Sequence, residues 1–73
     1  MTLKEKIETL VRLHLLIKRK ATGSPAELAR RLGVSQPTIF RYLNALRDFD
    51  APIEYCNYRK SYYYVEEYKL NFY

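Results

Sequence analysis

The chain has 73 residues, with 13 lysines and arginines against 8 acids for a net charge of +5, eight tyrosines and one cysteine. This length predicts one small domain over residues 1–73, near the lower limit at which a core suffices without staples. Lone Cys56 leaves no internal disulfide, no apolar run is long enough to cross a bilayer, and MTLKEKIE opens a helix rather than a signal peptide, so a reducing, cytoplasmic setting is expected.

The first helix is predicted over about residues 2–20. Leu3, Ile7, Leu10, His14 and Ile17 form one stripe at helical spacing, with Leu13 at its border. Val11, Leu15 and Leu16 widen that apolar surface, which suits either a helix half wrapped by its neighbours or one that also packs on a second copy. His14 reads as a packed side chain, since it has neither a second histidine nor a cysteine cluster as company. Lys18, Arg19 and Lys20 close the helix, where cations suit its dipole; reaching a phosphate is the other reading of the run.

Ser24 to Arg47 carries two further helices, about 25–32 and 36–49. Ser24 is an N-cap, Pro25 fits the first helical position, and Glu27 completes a capping box. Leu28, Ala29 and Leu32 share a face, and Gly33 stands where a helix ends in a left-handed conformation. Ser35 is a second N-cap, followed by Ile39, Leu43 and Leu46 at helical spacing. A turn of about three residues forces the two helices to cross steeply, which is the helix-turn-helix geometry.

Asp50-Ala51-Pro52 breaks the third helix. Ile53 to Tyr58 and Ser61 to Val65 read as two strands joined at Arg59-Lys60, giving a wing over about 53–65 and a tail over 66–73. The tail is compatible with extending the second strand, lying on the first helix or pairing with another molecule. The predicted fold class is mainly α with a small β-hairpin: a three-helix bundle plus a two-stranded antiparallel wing, the winged helix-turn-helix plan.

The run AELARRLGVSQPTIFRYLNALR followed by APIEYCNYRKSYYYVE resembles the type 11 helix-turn-helix domains. These stand at the N-terminus of many bacterial regulators, including WYL-domain, DeoR-like and biotin-operon repressor proteins. The resemblance implies a transcriptional regulator that binds double-stranded DNA, with the helix beginning at Gln36 in the major groove. It covers about Ile7 to Val65, most specifically at LARRLGVS and at the Ile53-Glu54-Tyr55 start of the hairpin. Pro37 departs from the basic or hydrogen-bonding residue common in relatives, and the wing turn NYRKS lacks their glycine.

Turning Ile39, Leu43 and Leu46 inward puts Pro37, Arg41 and Asn44 outward, with Thr38 and Phe40 on the flanks and Gln36 at the entering end. Gln36, Thr38 and Arg41 match the family's usual DNA contacts, and a guanidinium suits a guanine edge. Ser35 and the first-turn amides suit a backbone phosphate, while Arg59 and Lys60 are the wing-tip cations. Asp48 and Asp50 limit any groove contact to the first two turns. Alternation puts Tyr62 and Tyr64 on one hairpin face and Tyr63 on the other, which favours packing over a stacking platform for bases.

No catalytic set, phosphate loop, cofactor motif, metal-ligand spacing or small-molecule site is evident, so an enzyme is not expected. A homodimer through the first helix, the tail or both is expected. The alternative is a winged helix used for protein contact, motivated by the apolar excess on the first helix and by EEYKLNFY standing where many relatives carry an effector domain.

Overall fold

In the computed structural model, which describes residues 2–70, the order is α1 (Leu3–Lys18), α2 (Pro25–Leu32), α3 (Gln36–Asp48), β1 (Ile53–Cys56) and β2 (Ser61–Tyr64). α2 packs on α3, α1 lies against β2, and β1 pairs antiparallel with β2, with Ile53 opposite Tyr64 and Cys56 opposite Ser61. This is the mainly helical, winged arrangement that the sequence predicts.

Each helix starts on a hydroxyl. Thr2, Ser24 and Ser35 accept from the amides of Glu5, Glu27 and Thr38 at 3.2, 3.3 and 3.3 Å. The capping box differs in its return half, because the Glu27 carboxylate accepts from the Ser24 hydroxyl at 3.4 Å. That carboxylate folds against Gly23, where a Cβ would stand 2.5 Å from Oε2. The three helices also end alike, with the amide that follows a left-handed residue returning to the carbonyl five residues back: Ala21 to Leu16, Val34 to Ala29 and Ala51 to Leu46. The left-handed residue in each closure is Lys20, Gly33 or Asp50, so only one is glycine. These closures end α1 at Lys18, two residues before the expected end, and α3 at Asp48, one residue before.

The core joins Leu13 and Ile17 of α1 to Leu28, Ala29 and Leu32 of α2 and to Ile39, Leu43 and Leu46 of α3, with Ala51, Ile53, Tyr62 and Leu70 closing it. The stripe expected on α1 needs correction. Leu13, placed at its border, is fully buried at the centre, whereas Leu3 is 74% exposed. The partners of α1 cover its C-terminal half, and its first turn projects past them. Tyr62 is buried and stands edge-on to Tyr55 across the hairpin with ring centres 4.9 Å apart.

Two buried polar contacts fix the hairpin to the helices. The hydroxyl of Thr22, before α2, accepts from the Tyr62 amide at 2.9 Å and lies 3.1 Å from Ser61 Oγ, which also accepts from the Thr22 amide at 3.1 Å. On the other side, His14 Nδ1 lies 2.8 Å from the Tyr64 hydroxyl. Burial, then the Lys18 ammonium, lowers the His14 pKa. Burial, with Tyr68 alongside, holds the Tyr64 phenol above its usual range.

The strands are shorter than expected, stopping at Cys56 and Tyr64, and the turn is Asn57 to Lys60. Lys60 takes the left-handed conformation that a glycine takes more easily, and Cys56 Sγ accepts from the Arg59 amide at 3.4 Å. Beyond β2 the chain folds back on its own domain. Tyr68 donates to the Phe49 carbonyl at 2.7 Å, its ring faces Tyr64 at 5.1 Å and His14 at 6.1 Å, and Leu70 enters the core. The tail therefore packs in cis as far as Leu70; its last part, 71–73, lies outside the described residues.

Candidate nucleic-acid interface

Burying Ile39, Leu43 and Leu46 leaves one face of α3 open. Gln36, Pro37, Arg41 and Asn44 are exposed there, and Phe40, between Gln36 and Asn44, is 46% exposed. No acid occurs from Ser35 to Arg47; Asp48 and Asp50 stand at the far end. The first turns of α3 therefore present amide, guanidinium and aromatic groups together.

The polar groups of this face are partly engaged within the chain. Ser35 Oγ serves the helix cap and lies 2.9 Å from Thr38 Oγ1, so the half-buried Thr38 hydroxyl belongs to the cap as much as to the surface. Arg47 holds α3 to the wing: Nη1 donates to Asn44 Oδ1 at 3.3 Å and Nη2 to the Ile53 carbonyl at 3.4 Å. Arg41 lines a groove with Lys6, Val34, Ser35, Thr38 and Tyr42, because the start of α1 passes beside the start of α3. Arg59 and Lys60 are exposed at the wing tip, as is Tyr58, at 96%. Arg12, Leu15, Leu16, Arg19 and Arg31 form a separate basic and apolar groove between α1 and α2.

Residues 7–63 match a family model described as an HTH domain. The chain belongs to the type 11 helix-turn-helix family. No curated protein and no solved structure matches it. The matched span takes in α2, α3 and nearly all of the hairpin, and helix-turn-helix domains are a DNA-binding, regulator-like and non-catalytic kind of module.

In this helix-turn-helix unit the candidates separate into two groups. Ser35, Gln36, Pro37, Thr38, Arg41 and Asn44 share α3 and its cap, while Arg59 and Lys60 stand apart on the wing. Three residues join them: Phe40, which the sequence set on the flank of α3, Tyr58, which it set in a strand, and Lys6, which it did not single out. Phe40 had a signal, since it follows Gln36 and precedes Asn44 at helical spacing. Tyr58 was hidden by a strand drawn two residues too long, and Lys6 depends on how α1 packs. Among the described residues no helix is long and apolar enough to cross a membrane, and no group of three or more His, Cys, Asp or Glu is placed to hold a metal ion.

Proposed function

We propose that this helix-turn-helix protein binds double-stranded DNA sequence-specifically through the outward face of α3, as a bacterial transcriptional regulator working in the cytoplasm. The observation that carries this reading is the face itself: Gln36, Phe40, Arg41 and Asn44 exposed together on a capped helix with no carboxylate before Asp48. An α-helix fits the major groove, where amides and guanidinium groups discriminate base edges and an aromatic ring meets a thymine methyl. Ser35, Pro37 and Thr38 lie at the entering end, with Arg59 and Lys60 of the wing over the neighbouring backbone.

One module of this size buries about 600–1,000 Å² on DNA, which favours two copies bound as a homodimer to paired half-sites. The exposed Leu3 and Leu15 on α1 support that helix as the contact between copies. The tail packs in cis through Leu70, so it is a weaker basis for pairing. Selection of duplexes from a random pool at near-physiological salt tests the proposal. It should return one motif in two related halves; a pool with no enrichment removes it.

A second reading is a winged helix that docks another protein through the arginine-lined groove of α1 and α2. Its mark is a stable protein complex that covers the α1–α2 groove and forms without DNA.

A further inference from the structure

Lys6 stands in the first half of α1, far in sequence from α3, yet it lines one groove with Val34, Ser35, Thr38, Arg41 and Tyr42. Two cations from separate elements thus flank a concave surface to which no carboxylate contributes. Neither the Lys6 ammonium nor the Arg41 guanidinium has a hydrogen-bond or ion-pair partner among the described residues. Two like charges converging on one groove repel each other weakly in water, and an anion seated between them turns that repulsion into attraction. The ammonium acts as a point charge and the guanidinium as a fork, a pair suited to the several acceptor oxygens of one phosphodiester. The groove borders the exposed face of α3, so a phosphate held there belongs to the strand flanking the groove that α3 enters.

We infer that the Lys6–Arg41 groove seats one backbone phosphate of the bound duplex. Arg41 is then a positioning residue that sets the register of α3, and sequence is read by Gln36, Phe40 and Asn44. Phosphate contacts fix orientation and carry no sequence information of their own, so the two roles are separable in experiment. The inference rests on the DNA-binding reading above and assigns a phosphate role to Arg41 in place of a guanine contact.

The test measures affinity against salt concentration for the full chain, Lys6→Ala, Arg41→Ala and the double variant. Each is assayed on the selected duplex and on one with a changed base pair. Each single variant should weaken both duplexes by the same factor and lower the salt slope by about 1. The double variant should lower it by about 1 in all, since one phosphate is lost, not two. A single methylphosphonate flanking the motif should reproduce the loss in the unmodified chain and leave Lys6→Ala with nothing further to lose. An unchanged slope for Lys6→Ala overturns the inference, as does a fall of about 2 for the double variant. So does lost discrimination between duplexes in Arg41→Ala. Failure of the DNA-binding reading is distinct: the unmodified chain would itself show no preference between duplexes, which removes both.

Discussion

Tyr64 Oη lies 2.8 Å from His14 Nδ1, so the last residue of β2 is bonded to the middle of α1. A neutral imidazole protonated on Nε2 lets Nδ1 accept from the phenol. Tyr68 from the tail closes the cluster from the other side, and Lys18 is the nearby cation that disfavours a second charge. The His14 pKa is therefore lower folded than unfolded, where it is near 6.5. The unfolded chain then binds the extra proton, so this contribution to stability is complete above about pH 6.5 and is lost as pH falls from there through the folded value. Urea midpoints measured from about pH 7.5 down to about pH 5 should fall more steeply for the natural chain than for His14→Phe. Parallel curves would show that the ring is not held neutral.

Thr22 and Ser61 form the opposite tie, and the Tyr62 amide depends on it. Thr22 is fully buried and Ser61 nearly so, so no water replaces a lost hydroxyl. Thr22→Val keeps the shape but leaves the Tyr62 N–H without its acceptor, a cost of about 1–3 kcal/mol. Denaturant unfolding should show that loss with an unchanged slope, and the same change at half-buried Thr9, whose hydroxyl only returns to the Glu5 carbonyl in an exposed bond, should cost well under it. Equal effects at the two sites would mean the hairpin is held by packing alone.

Three identical helix closures give a built-in comparison. Gly33 takes the left-handed conformation freely and a Cβ there would touch nothing, whereas Lys20 takes it at a steric cost of roughly 1–2 kcal/mol. Lys20→Gly removes that cost and adds about 0.4–1 kcal/mol of unfolded-chain entropy, so a net gain of about 0.5 kcal/mol is expected. Gly33→Ala goes the other way by about 1 kcal/mol for conformational reasons alone, with no clash to relieve. A thermal shift of opposite sign in the two variants checks the pair.

What the sequence revealed and what it hid divide along a physical line. Ser24, Gly33, Ser35 and the Ile39–Leu43–Leu46 stripe act within a turn or two of themselves, so spacing alone was enough to place α2 and α3. Leu13 was set at a border because the choice of central residue depends on which side of α1 the hairpin covers. Tyr58 was drawn into a strand because tyrosine favours strands, yet the turn needs four residues and Lys60 supplies the positive φ that no glycine announces. Lys6 and the Thr22–Ser61 contact join segments dozens of residues apart. The outward face of α3 was legible because burial of one helical stripe dictates its opposite.

If α3 reads bases as proposed, that reading turns on how Arg47 holds Asn44. With Nη1 donating to Oδ1 at 3.3 Å, the amide is turned so that Nδ2 points away from Arg47 and is free to donate to an acceptor on a base edge. Asn44→Ala should therefore relax preference at one base pair by about 1–3 kcal/mol, and Gln36→Ala should do the same at a neighbouring pair. Asn44→Asp keeps the Arg47 contact and strengthens it, but replaces the outward donor with a second acceptor beside the polyanion. That variant should bind the selected duplex more weakly than Asn44→Ala, although it removes no atoms. Competition between the selected duplex and single-base variants measures all three. If Asn44→Asp bound as well as the natural chain, the open face of α3 would not be meeting bases.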